Sequence, residues 1–426
     1  MIRRIQVLGF RCLRYVDVSL GRFHLLAGPA GTGKSTLLDA LAFLGDLVRE
    51  GPEAAVSRRA DDFRDLVWGR PREDRGFELA VEFEIPGACR AALPEERDYG
   101  IYRYEVVVRG DERGRPGIHM ERGVLAPSPR PVPAQASLFP EMPAPPATVV
   151  AAGRPGANTV LSKTPAGNDR FCRETDVGKG WDIRTSLGRR RSTLGNLPES
   201  PETMPAASAL KRVLESGTGL IRLEGDAPGR PCPPQLARSP LTPDGGNLPW
   251  VVKRLRDGRR GDFDRWLKRA RATVPGLQDI EVAERAEDRH AHLVLRYENG
   301  LAVPSRLESG AVLRMLALGL LPHMPEEGRV HMVEEPENGV HPSGLDAVGD
   351  SLAAVRGSQV LATTCSAALV GRAEPERVIC LARGAEGVVG VVKGSEHPLL
   401  AERDGPLDPG VLIGGGAGRG SVYGPG

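Results

Sequence analysis

Gly28-Pro29-Ala30-Gly31-Thr32-Gly33-Lys34-Ser35 joins three glycines, a lysine and a hydroxyl in the pattern G-x4-G-K-S, with Thr36 beside it. Glycines let successive amide N–H groups turn inward around phosphate oxygens. A helix starting at the end of such a loop adds a favourable dipole. Lys34 has the reach to meet β- and γ-phosphates, and Ser35 offers a hydroxyl to Mg²⁺. The order is right for this chemistry: the apolar run Phe23–Ala27 reads as a strand leading into the loop, and a helical pattern begins at Ser35. These residues predict a site for ATP with Mg²⁺.

The second constellation is Val330-His331-Met332-Val333-Glu334-Glu335, an apolar strand ending in two carboxylates. Beside a phosphate loop, the first carboxylate helps to hold Mg²⁺ through water, and the second accepts a proton from the attacking water. Glu334 is expected as the metal ligand with Ser35, Glu335 as the general base, and Lys34 as a catalytic residue through its reach to the phosphates. Paired glutamates at a strand end also occur as plain surface charge. The loop upstream favours the metal reading.

These residues need a sheet to hold them. Ile2–Leu8 and Val16–Leu20 read as strands, and Leu37, Leu41, Leu44 and Val48 mark one face of a helix. Phe77–Ile85 and Ile101–Val108 alternate apolar and polar residues, which predicts two adjacent antiparallel strands. Leu125–Val149 is dense in proline and reads as a flexible or polyproline-like connection. Asn158–Gly246 stays rich in Gly, Pro, Ser and Arg, and its run Arg189-Arg190-Arg191 suits a solvated loop or a phosphate-backbone contact. Asn247–Ala272 has helical spacing. Val294–Tyr297, Val330–Val333, Val360–Thr364 and Val378–Leu381 read as strands, and Val312–Leu321 as a buried helix.

Composition narrows the class further. Among 426 residues, 57 basic against 55 acidic side chains leave a net charge of +2, so no global field favours nucleic acid. The six cysteines are scattered without CxxC pairs, which argues against structural zinc and for a reducing compartment. No signal peptide and no membrane-length apolar run is seen, so a soluble cytoplasmic protein with no membrane partner is expected.

The run Glu334-Glu335-Pro336-Glu337-Asn338-Gly339-Val340-His341-Pro342 resembles a segment of the RecF-like and OLD-like group of ABC-type AAA family ATPases. Gly9-Phe10-Arg11, the loop, the strand pair, Gly246-Asn247-Leu248-Pro249-Trp250, Glu284–Arg289 and Tyr297-Glu298-Asn299-Gly300 extend the resemblance over most of the chain. The combination is similar to a subgroup associated with bacterial anti-phage islands, including methylation-associated defence systems. The resemblance implies an α/β ABC-type head: a mixed sheet with flanking helices and an antiparallel β subdomain. It also implies a short signature whose amides touch ATP bound to the other subunit of a homodimer. The matching stretch is Glu308-Ser309-Gly310-Ala311, with Ser309 and Gly310 as the cofactor-binding residues. Ala311 stands where the family has a second glycine, and an ordinary helix cap explains the same stretch. Arg11 matches an arginine near the nucleotide, and His341-Pro342 a contact between heads. At Ala362-Thr363-Thr364-Cys365-Ser366, Cys365 occupies the position of a histidine that contacts the γ-phosphate. A thiol is a poor donor and never an imidazolium. Slow hydrolysis is therefore expected.

The expected organisation is a head built from 1–124 and 291–396, an inserted lid and helical region at 125–290, and a tail at 397–426 with a disordered Gly-rich end. The distance between Lys34 and Ser309 opposes a transporter subunit, and Pro and Gly in the gap oppose a long coiled coil. No clustered D-x-D follows the head, and no room remains after Gly394 for a Toprim domain, so no nuclease activity of its own is expected. A switch that dimerises around ATP and drives a separate effector is the main reading. A hydrolysis-deficient scaffold and a RecF-like DNA-binding ATPase are the alternatives, and DNA contact stays open.

Overall fold

The computed structural model describes residues 1–397 apart from 71–75, 129–143, 152, 154, 167, 177–179, 182, 199, 224, 325–327, 385 and 386. The glycine-rich tail lies outside the described residues, as does most of the proline-rich connection.

Period-two patterning places apolar side chains on both faces of the central sheet. Its order is Thr218–Ile221, Val330–Glu334, Gln359–Thr364, Phe23–Ala27, Val378–Arg383 and Val389–Lys393. The first five strands are parallel, and the last closes an antiparallel hairpin. One strand, Gln359–Thr364, thus separates the carboxylate strand from the strand that feeds the phosphate loop. Leu26, Met332 and Leu361 belong to the core on one face. Their neighbours Leu25, Val333, Val360 and Ala362 belong to the core on the other. Such two-sided burial is the usual condition of parallel strands.

The helix Lys34–Glu50 covers the first face and in turn supports a second sheet. That sheet is antiparallel throughout, in the order Leu13–Ser19, Ile2–Phe10, Gly76–Glu84, Tyr99–Gly110, Pro116–Pro127, Asn158–Lys163, Asp169–Phe171 and Ile183–Thr185. The two alternating segments pair with each other as expected, from Gly76 opposite Arg109 to Glu84 opposite Ile101. Phe10, Phe43 and Phe77 lock helix to sheet, with Phe77 meeting Phe10 and Phe43 edge-on at 4.9 and 5.2 Å. The helices Leu248–Gly258, Arg260–Thr273, Gly310–Leu320 and Leu345–Ala353 cover the opposite face of the central sheet. A three-stranded sheet, Leu277–Glu284, Ala291–Tyr297 and Ala302–Pro304, packs beside them. The fold is α/β: a mixed, mostly parallel sheet with flanking helices and an antiparallel β subdomain.

Residues 125–290, expected as a lid, contribute strands to all three sheets. Short strands there complete larger sheets because neighbours satisfy their backbone groups. Buried carboxylates fasten the irregular turns between them. Glu121 accepts from Tyr104 Oη, Ser192 Oγ and the amides of Thr193 and Leu194 at 2.7–2.9 Å. The helical stretch 247–272 divides at Arg259, whose φ of −143° and ψ of 61° follow Gly258 out of helical geometry. Among the described residues, no helix is long and apolar enough to cross a membrane.

Gln359 joins the two sheets. Its buried amide accepts from the Ile2 N–H at 3.1 Å and donates to the carbonyls of Ile2 and Gly21 at 2.8 and 2.7 Å. Gln359→Met keeps the volume but orphans all three groups, so a loss of about 2–4 kcal/mol in chemical denaturation is expected; a loss under about 1 kcal/mol would show that other partners compensate.

Two buried histidines add a pH dependence. Burial pushes His331, whose Nε2 has no partner, down to about 4, and pushes His24 down to about 4 as well. Unfolded histidine titrates near 6.5. A depressed folded value means that the stability is complete above about 6.5 and is lost as pH falls toward 4. The melting temperature should drop across that window, and more gently in His331→Leu. An equally steep drop in the variant would remove His331 as a source.

Candidate functional site

The loop after Phe23–Ala27 is shaped by contacts that leave no room for side chains at two glycines. A Cβ on Gly28 would lie 2.2 Å from the Leu381 carbonyl oxygen. One on Gly33, at φ 88°, would lie 2.9 Å from Leu13 Cδ2 and 3.1 Å from Cys12 Sγ. Gly31 is open, with nothing within 4 Å of the same position. The helix that follows carries no side-chain cap and no acidic residue in its first turn, so its positive end is left for an anion. Lys34 is buried, and its Nζ donates to the Gly28 and Pro29 carbonyls at 2.8 Å each. Thr32 Oγ1 braces the loop through Pro29 O at 2.8 Å, and Thr36 Oγ1 accepts from Cys12 Sγ at 3.3 Å. Ala30, Gly31 and Ser35 form the exposed rim.

The carboxylate strand ends with its two glutamates in unlike surroundings. Glu334 is buried, and Arg222 Nε and Nη2 both donate to its Oε2. Arg222 follows the edge strand Thr218–Ile221, which lies on the side of Glu334 away from the phosphate-loop strand. Glu335 has a left-handed φ of 42°, strained for a side-chain-bearing residue. Its amide is held by Thr363 O at 3.1 Å and Thr363 Oγ1 at 3.2 Å. Its Oε2 accepts from Asn338 Nδ2 at 2.6 Å.

Cys365 spans the gap between the loop and Glu335. Its Sγ lies 3.5 Å from Gly28 O and 4.0 Å from Glu335 Oε1. Glu337 Oε1 accepts from the Cys365 amide and Thr364 Oγ1, each at 2.7 Å, and so fixes this strand end.

Lys34, Gly28, Cys365 and Glu335 are therefore brought together, whereas other expected site residues stand apart. Ser309 caps the helix Gly310–Leu320, its Oγ accepting from Ala311 N at 3.3 Å, and both Ser309 and Gly310 are exposed. Their helix lies against the face of the central sheet opposite Lys34–Glu50. Among the described residues, no hydrogen bond joins them to the loop. Arg11 instead donates to Asp39 Oδ2 at 2.8 Å on the flank of the loop helix. His341 Nδ1 accepts from the Ser343 amide at 3.3 Å and caps the turn Pro342–Gly344.

The site's residues suit a metal–nucleotide pair: an open glycine, an uncapped helix start, a lysine seated on exchangeable carbonyls and two consecutive carboxylates at one strand end. Arg222, Thr363 and the partnerships of Glu337 and Asn338 were not foreseen. Arg222 carries no local pattern, since it meets a carboxylate 112 residues away.

No family model matches the chain. One curated relative, the OLD nuclease of Thermus scotoductus, is 36% identical over 87 residues, which is 20% of this chain and 15% of the relative. The chain's match thus spans a small part of that relative's length. Among solved structures the chain is similar to an Smc head bound to the C-winged helix domain of ScpA. That match has a TM-score of 0.47 at 13% identity and covers 92% of this chain and 97% of the other. An SMC head domain from Thermotoga maritima gives 0.41 at 10% identity, covering 92% and 98%.

Removing the guanidinium from Glu334 should make this carboxylate more available to a divalent cation. A charge-assisted bond of about 1.5–3 kcal/mol corresponds to roughly ten-fold or more. Arg222→Ala is expected to bind Mn²⁺ more tightly in the presence of ADP, as read by electron paramagnetic resonance. Weaker binding would instead make Arg222 an aid to Glu334.

Proposed function

We propose that this chain is an ATP-binding, slowly hydrolysing ABC-type switch that dimerises around ATP and controls a separate effector, in bacterial anti-phage defence. The observation that carries the catalytic part is the span Gly28–Cys365–Glu335, in which one side chain touches the loop and approaches the base. In this reading the loop amides and the end of helix Lys34–Glu50 receive the phosphates, and Lys34 exchanges its two carbonyl partners for phosphate oxygens. Ser35 and Glu334 would hold Mg²⁺, which supplies charge neutralisation between phosphates. Glu335 takes the proton of the attacking water. Cys365 stands where a charged donor would stabilise the transferring group, and a thiol gives little of that stabilisation.

The dimer reading draws on the second part of the site. Ser309 and Gly310 face outward at an N-terminus that its own loop does not use. Leu301 and Leu307, 58% and 67% exposed, precede them in the chain. A second copy offering its phosphate loop would complete the site. The defence context draws on the sequence resemblance alone. A hydrolysis-deficient scaffold is the second reading, favoured by the thiol of Cys365, a poor donor in place of a charged one.

Steady-state ATP hydrolysis and sedimentation of the wild type, Glu335→Gln and Cys365→His test both. A switch predicts slow wild-type turnover, loss in Glu335→Gln, and roughly ten-fold or greater acceleration in Cys365→His. ATP-dependent dimers in all three with no turnover in any would establish the scaffold instead. Absence of nucleotide binding would end both.

A further inference from the structure

We infer that Asn338 is a positioning residue for Glu335, selecting which carboxylate oxygen serves as the base. The inference rests on the hydrolytic reading above and adds a residue to it. A glutamate at a strand end has free torsions and two equivalent oxygens, and a base is effective only when one oxygen faces the water. Here the Asn338 amide donates to Oε2 at 2.6 Å. The assignment of Nδ2 rather than Oδ1 to this contact follows from the partner, because an ionised carboxylate only accepts. With Oε2 engaged, Oε1 is the oxygen left for water. Oε1 is also the atom 4.0 Å from Cys365 Sγ, and that sulfur lies 3.5 Å from Gly28 O of the loop. Asn338 thus leaves open the oxygen on the phosphate side.

The turn that carries Asn338 is built to hold it. Its amide donates to the Glu335 carbonyl at 2.9 Å, closing a turn in which Pro336 has a fixed φ. Glu337, between them, is fastened to Thr364 and Cys365 at 2.7 Å. The backbone of Glu335 is pinned at the same time by Thr363. Every flexible joint between the sheet and the Glu335 carboxylate is therefore restrained except its own side-chain torsions, and Asn338 restrains those. Cys365 is a poor substitute: its thiol is a weak donor at a long distance, and it has a closer acceptor in Gly28. The Asn338 side chain is exposed, so its bond adds little to folding. Orientation is its consequence.

In the step concerned, water gives a proton to Glu335 Oε1 as its oxygen bonds the terminal phosphorus. The bridging P–O bond breaks, and its electron pair leaves on ADP. Both substitutions at Asn338 should act on this step and spare binding. Asn338→Ala is expected to lower kcat about 10- to 100-fold with KM for ATP within about two-fold. Asn338→Asp keeps the shape but puts a like charge against Glu335, and should lower kcat at least as far. In a Glu335→Gln background, measured in single turnover, Asn338→Ala should cause no further loss, since its effect passes through the missing carboxylate. An unchanged kcat in Asn338→Ala, or an equal further loss in the Glu335→Gln background, would overturn the positioning role alone. A wild type that binds ATP without hydrolysing it would overturn the hydrolytic reading and this inference together.

Discussion

Five parallel strands lie between two apolar layers, so most side chains along them are committed to packing. Their ends open to solvent. The candidate site follows from that constraint: Gly28 comes after Phe23–Ala27, Glu335 after Val330–Glu334, Cys365 after Gln359–Thr364 and Arg222 after Thr218–Ile221. All four lie at carboxyl ends, which parallel pairing gathers on one edge of the sheet. Residues more than 300 positions apart in the chain, such as Gly28 and Cys365, become neighbours through register alone.

Charge at this edge is tightly arranged. The loop offers amides, a helix end and one ammonium. The carboxylate strand and the turn after it offer Glu334, Glu335 and Glu337, each already engaged by Arg222, Asn338 or the Cys365 amide. The lysine rests on carbonyl oxygens that bind it more weakly than phosphate would. Backbone strain is present in the same place, in the positive φ of Glu335. The polypeptide tolerates it because Thr363 and Asn338 hold that residue on both sides.

Much of this was legible in the sequence, and the reasons are local. The G-x4-G-K-S run sits between a five-residue apolar strand and a helix whose buried residues recur at helical spacing, so the loop was read from spacing alone. Alternation exposed the pair Gly76–Glu84 and Tyr99–Gly110. The strands within 158–185 were hidden because two of them are three residues long and the chain around them is rich in Gly, Pro and Arg. They are stabilised by a neighbouring sheet edge that no short window of sequence contains. Arg222 was hidden for the same reason: its partner is set by which strands lie side by side. Ser309 and Gly310 matched a pattern, yet their helix belongs to the other face of the sheet, which the pattern does not encode.

The join at Gln359 has a mechanical side. Its amide clasps the first strand of the chain, and five residues later the same strand ends at Thr364, beside Cys365. A strand of that length is a stiff strut of about 20 Å. One end is clamped to the outer sheet, and the other bears on the nucleotide loop. A pull or twist applied to the antiparallel sheet would be delivered to the loop as a displacement of Cys365, with little slack between.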